Sequence, residues 1–148
     1  MNKKVLAFVF DGKRFLALRN NPDDPAHGGD FWFTVTGSVE DREKENEAVM
    51  REVKEETGLE VKEIFNLNWS SVYSWGGQDH SEANVIAFVK KGAPKMNEEH
   101  VGFEWLSLKD FVNRIKWEAD KNVLKNVLEK GIKKERFFKE KRTEDYRK

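Results

Sequence analysis

The chain has 148 residues, enough to bury one hydrophobic core and short of what two domains usually need. Its 27 basic and 27 acidic side chains cancel, so a densely charged surface carries no overall field that would draw a nucleic acid or an acidic membrane. Cysteine is absent, which excludes disulfides and thiolate metal sites, and the apolar run in "MNKKVLAFVF" is too short for a leader or a membrane span; a soluble, cytoplasmic protein is expected.

Val5 to Phe10 and Phe15 to Leu18 are apolar runs separated by "DGKR", which predicts two strands turning at Asp11-Gly12. "NNPDDPAHGGD" over residues 20 to 30 sustains neither regular period and marks a surface loop. "FWFTVTG" reads as one short strand stopping at Gly37. Residues 45 to 57 predict a helix closed by Gly58 in a left-handed cap. Its start is expected to fray, because Lys44 stands where Ser, Thr, Asp or Asn would cap, although Glu45 and Glu47 suit the macrodipole.

Leu59 to Asn68, Ser71 to Trp75 and Ala83 to Val89 predict three more strands, with "GGQDHSE" as the connection between the last two, and Val101 to Leu106 adds another. From Leu108 the pattern becomes helical, first in "LKDFVNRI" and then in "EADKNVLKNVLEKG", where Val123, Leu124, Val127 and Leu128 repeat at helical spacing up to Gly131. Residues 1–131 are expected to form the domain. Residues 132–148 form a charged extension, either a docked helix or a solvated tail. Strands, a helix, more strands and terminal helices do not alternate as a doubly wound parallel sheet does; a mixed α+β fold with a mixed sheet between helices is predicted.

The helix carries "REVKEETG" over residues 51 to 58. At about 100° per residue, Glu52, Glu55 and Glu56 share roughly one third of the circumference, on the margin of the face holding Val49 and Val53. Like charges at these spacings cost free energy that a hard cation would reverse, and oxygen ligands of this kind suit Mg²⁺ or Mn²⁺ rather than zinc. A solvated charge run would be the ordinary reading of such a stretch.

The surrounding residues overturn that reading. Gly37 is followed after five residues by Glu43, after seven more by Arg51-Glu52-Val53, then by Glu55-Glu56 and Gly58-Leu59. "GSVEDREKENEAVMREVKEETGL" resembles the full signature of the Nudix hydrolases, without a gap or substitution in its specified positions. The resemblance implies that Glu52, Glu55 and Glu56 hold divalent metal, with Gly37 offering its carbonyl oxygen. It further implies that Glu52 is the candidate general base, that Arg51 orients it, and that Glu43 steadies the loop or supports the metal from outside. Glu99, beside Glu98 in "NEEHVGFEWLSL", lies where members recruit a further acid. The implied reaction is Mg²⁺-dependent hydrolysis of a diphosphate linked to some other group.

"DFWFTVTGSVE" and "EHVGFEWLSL" resemble bacterial dihydroneopterin triphosphate pyrophosphatases, which also act on triphosphates such as dATP. A resemblance to dinucleoside tetraphosphate hydrolases rests on "EHVGFEWL" alone, and a Nudix-fold binding module without catalysis is the rival from another class. The partner is expected to be a small diphosphate-containing substrate, met by a monomer or homodimer, with neither membrane nor nucleic acid. Among other residues, Arg19 is a candidate phosphate clamp, Trp75 beside a Gly-Gly loop a candidate stacking partner, and His80 a candidate phosphate contact. Phe31, Trp32, Trp69 and Tyr73 read mainly as packing, and His27 and His100 carry less weight.

Overall fold

The computed structural model describes residues 2–24, 29–75 and 77–135, with the side chains at 71–73 and 75 excepted. The predicted stacking role of Trp75 rests on one of those side chains, and His27 and the tail from residue 136 also lie outside the described residues.

The chain begins as the sequence predicts. β1 (Asn2–Phe10) and β2 (Phe15–Asn20) pair antiparallel at Phe10 and Phe15, with Asp11 Oδ1 accepting from the amides of Lys13 and Arg14. Beyond that base the two strands diverge and recruit different partners, which breaks the single strand expected from "FWFTVTG". β3 (Trp32–Phe33) pairs with β2, and β4 (Val35–Ser38) pairs with β1. Thr34 lies at the break, its hydroxyl donating to the Ala7 carbonyl at 2.6 Å.

α1 (Glu45–Thr57) has the predicted limits. The Lys44 side chain cannot accept a hydrogen bond, but the Lys44 amide donates to Glu47 Oε1 at 2.9 Å, so the start expected to fray is tied from the other direction. Gly58 caps the end at φ 72°, its amide donating to Lys54 O.

β5 (Val61–Trp75) and β6 (Gln78–Val89) form one long antiparallel hairpin. Two expectations are corrected here. The predicted strands on either side of residue 70 are a single strand with an irregularity between Asn66 and Ser70, where Asn68 adopts φ 54°. The predicted connection "GGQDHSE" is mostly strand, since Trp75 already faces Gln78 across the turn; a glycine pair is what a two-residue hairpin turn favours. β7 (His100–Leu106) pairs with β2, and α2 (Leu108–Arg114) and α3 (Lys121–Ile132) complete the described chain. Ser107 and Asp120 cap these helices. Gly131 is a packing position within α3 rather than its stop: a β-carbon there would press on Leu67 and Ile86 of the sheet.

β1 is the centre of the mixed sheet, parallel to β6 on one side and antiparallel to β4 on the other. Its residues Val5 to Phe10 are all buried because both faces are covered. Leu6, Phe8 and Phe10 pack with Phe111, Leu124, Val127 and Leu128 from α2 and α3; Val5, Ala7 and Val9 pack with Ala48, Val49 and Val53 from α1. The predicted sheet between helices is therefore the observed architecture. Val123, grouped in the sequence with the α3 core, is 37% exposed. No helix among the described residues is long and apolar enough to cross a membrane.

Candidate metal centre and active site

The core contact of α1 decides which of its acids face the cleft. Val49 and Val53 are fully buried on the sheet, and this rotation carries Glu52 and Glu56 to the edge where β4 ends. There an open cleft of about 400 Å³ is lined by Gly37, Ser38, Arg51, Glu52, Glu56, Glu99 and His100, with Lys4, Asn20, Phe31, Thr34 and Thr36 along its other walls.

Arg51 organises one side. Its Nε and Nη2 donate to the two oxygens of Glu43 at 2.8 and 3.0 Å, Nη2 also donates to Ser38 O at 2.8 Å, and Nη1 donates to Glu52 Oε1 at 2.6 Å. Glu40 approaches Nε at 3.1 Å. The guanidinium thus ties helix, β4 and the intervening loop together through charge-assisted bonds. The Arg51 hydrogen bonds, together with the Glu40 amide, hold Glu43 well below the ordinary carboxylate value, at about 2, and these carboxylates raise Arg51 above its own.

Gly37 is required for a reason the spacing alone does not reveal. A β-carbon at this position would occupy the space of the Glu52 carboxyl group, so only glycine lets Glu52 lie across β4.

Glu56 is 3% exposed, and its Oε2 has no hydrogen-bond partner. Burial pushes its carboxyl up to about 10, with Glu52, Glu99 and Glu55 adding to the shift. Ligand atoms of Glu56, Glu99 and His100 all lie within 4.8 Å of one another, and His100 Nε2 is 3.8 Å from Glu56 Oε1. Glu99 and His100 are delivered by a strapped turn. Asn97 Oδ1 accepts from the Glu99 amide, the His100 amide donates to Asn97 O, and the Asn21 amide donates to Glu99 O. Glu98 points its role elsewhere: its carbonyl accepts from the Asn21 side chain, and it does not line the cleft.

The cleft therefore brings together Gly37, Glu52, Glu56 and Glu99 from the sequence expectation, with Arg51 and Glu43 as the adjoining frame. Glu55 stands more exposed, 3.4 Å from Arg51 Nη1. Arg19 is not among the lining residues; its guanidinium is engaged by Asp30 in a bidentate pair at 2.8 and 2.7 Å, which neutralises the charge that a phosphate clamp would use. His80 is a buried strand residue rather than a loop residue, and it faces a neighbouring depression with Asn2, Lys3, Lys4 and Ser38. His100 and Lys4 are cleft residues to which sequence reasoning gave little or no weight. His100 follows Glu99 directly, so its adjacency was the available signal; Lys4 offers none, because its place depends on β1 pairing with β4.

The donor set fits a hard divalent cation: a buried carboxyl with an unsatisfied oxygen at Glu56, the half-buried carboxyls of Glu52 and Glu99 beside it, and the Gly37 backbone at the border.

The family model for the NUDIX domain matches residues 2–127, and the chain belongs to this hydrolase family. It is 49% identical over 57 residues to dihydroneopterin triphosphate diphosphatase of Escherichia coli, a match covering 38% of this chain and 35% of that protein. The match thus spans about a third of that relative's length. The protein of the same name from Haemophilus influenzae is 29% identical over 143 residues, covering 86% of this chain and 87% of its own. In fold, the chain is similar to the Escherichia coli dihydroneopterin triphosphate pyrophosphohydrolase, with TM-score 0.66 at 24% identity over 86% of this chain and 95% of that one. It is also similar to a Caenorhabditis elegans Ap4A hydrolase, with TM-score 0.65 at 22% identity over 88% and 94%.

Proposed function

We propose that the chain is a Mg²⁺- or Mn²⁺-dependent pyrophosphohydrolase that converts a pterin or purine nucleoside triphosphate to the monophosphate and pyrophosphate. The observation that carries this reading is the buried Glu56 carboxyl, enclosed by Glu52, Glu99 and His100 in a cleft open to a small molecule. The relatives named dihydroneopterin triphosphate diphosphatase support the substrate class.

Glu52, Glu56 and Glu99, with the Gly37 carbonyl, would hold the ion, and Glu55 would join them from the rim. A bound divalent cation supplies charge neutralisation to the diphosphate and acidifies water. The chain's own residues do the rest. Arg51 Nη1 fixes one oxygen of Glu52, leaving the other to take a proton from the attacking water. Glu43 holds Arg51 in that position from behind. Lys4, on the far wall, opposes phosphate charge.

Incubation with Mg²⁺ and a panel of dihydroneopterin triphosphate, dATP and diadenosine tetraphosphate, with products separated, tests the reading. Pyrophosphate release from the first two is expected, and Glu52→Gln should slow it on the order of 10³-fold with the fold retained. Cleavage of the dinucleotide alone would overturn the substrate class. No turnover of any diphosphate by the wild type, matched by Glu55→Gln, would favour a binding module.

A further inference from the structure

The acids of the box account for hard oxygen ligands, but the cleft also contains a nitrogen donor that the box does not supply. His100 opens β7, where its pairing with Asn20 and the Asn97 turn set its backbone before any ligand arrives. Its side chain is only 9% exposed. The Nε2 to Glu56 Oε1 separation of 3.8 Å exceeds hydrogen-bond length, yet it is the kind of gap a cation with bonds of about 2.1–2.3 Å bridges after small side-chain movements. Glu56 presents a second buried oxygen without a partner, and Glu99 closes the third side.

We propose that His100 is a direct ligand which, with Glu56 and Glu99, makes a mixed carboxylate and imidazole position that takes Mn²⁺ in preference to Mg²⁺. Mg²⁺ demands oxygen ligands in near-ideal octahedral geometry and gives up its water reluctantly. Mn²⁺ stands lowest among the first-row transition ions in affinity for such sites, yet it accepts a nitrogen ligand more readily than Mg²⁺ does, so one imidazole raises its affinity where it does little for Mg²⁺. The inference rests on the metal-dependent reading above and narrows which ion that site selects.

The test uses full-length, metal-free protein titrated calorimetrically with Mn²⁺ alone and with Mg²⁺ alone, together with pulsed EPR of the Mn²⁺-loaded protein. The wild type should bind Mn²⁺ more tightly than Mg²⁺ and show the ¹⁴N hyperfine coupling of a bound imidazole. In His100→Gln, Mn²⁺ affinity should fall by at least about tenfold and the coupling should vanish, while Mg²⁺ affinity changes far less. Mn²⁺ binding without ¹⁴N coupling in the wild type would overturn the proposal and leave the metal-dependent reading standing. Equal affinity for both ions would overturn the selectivity. Absence of binding by either ion would sink the metal-dependent reading itself. The wild-type spectrum decides the ligand assignment even if the variant fails to fold.

Discussion

Glu43 and Glu56 lie at the same site, one bound to Arg51 beside the cleft and one in its wall, yet the first carboxyl is held down at about 2 and the second is pushed up to about 10. Glu43 has a built-in counterion, because two nitrogens of Arg51 address its two oxygens. Glu56 is buried among other acids, and no arginine or lysine among the described residues pairs with it; His100 Nε2 stands 3.8 Å away. The difference teaches how to separate acids that support architecture from acids that await a ligand. The first kind is satisfied within the protein; on the proposed metal-dependent reading, a cation would displace the proton that burial favours on the second.

Gly37→Ala should break the connection between these two regions most severely. The added methyl group displaces the Glu52 carboxyl, and turnover should fall on the order of 10²-fold in steady-state kinetics while circular dichroism remains native. Retained activity would mean that the Glu52 position seen here is not the working one.

Arg51→Gln removes the counterion from the satisfied cluster, leaving Glu43, Glu52 and Ser38 O short of donors. A stability loss of about 2 kcal/mol is expected, read as a lower denaturant midpoint, with activity lost as well. Stability equal to the wild type would refute the structural role of the network.

Acidity sharpens the contrast by sign. Glu56 is raised above its ordinary value of 4.5, so its contribution to the stability of metal-free protein is fully present below that value and is lost as pH rises towards about 10. The slope is at most about 1.4 kcal/mol per pH unit, and saturating Mg²⁺ or Mn²⁺ should flatten it. Glu43 is depressed, so its contribution is present above 4.5 and disappears as pH falls towards about 2. Thermal melts across pH, with chelator and with metal, read both limbs; in Glu56→Gln the alkaline limb should be gone and the acid limb kept.

The amino-acid sequence by itself determined the family signature, the limits of α1 and the sheet between helices. These depend on local chemistry: residue spacing, an αL glycine at 58 and apolar periods that the fold preserves. It did not show that "FWFTVTG" divides, because a strand breaks there only when β1 and β2 take separate partners. Nor did it show that β6 begins at Gln78, since cross-strand pairing extends the strand through polar residues that look like loop.

The site divides along the same line. Glu52, Glu55 and Glu56 share a helix face in any α-helix, so their grouping was legible from spacing. Only the tertiary structure decided that Glu52 lies over Gly37, that Arg19 is taken by Asp30, and that Glu99 and His100 meet Glu56 across more than forty residues of chain. Ionisation belongs to this second class as well. A carboxyl is pushed far from its ordinary range by burial and by neighbours in space, and neither exists until the sheet and α1 have packed.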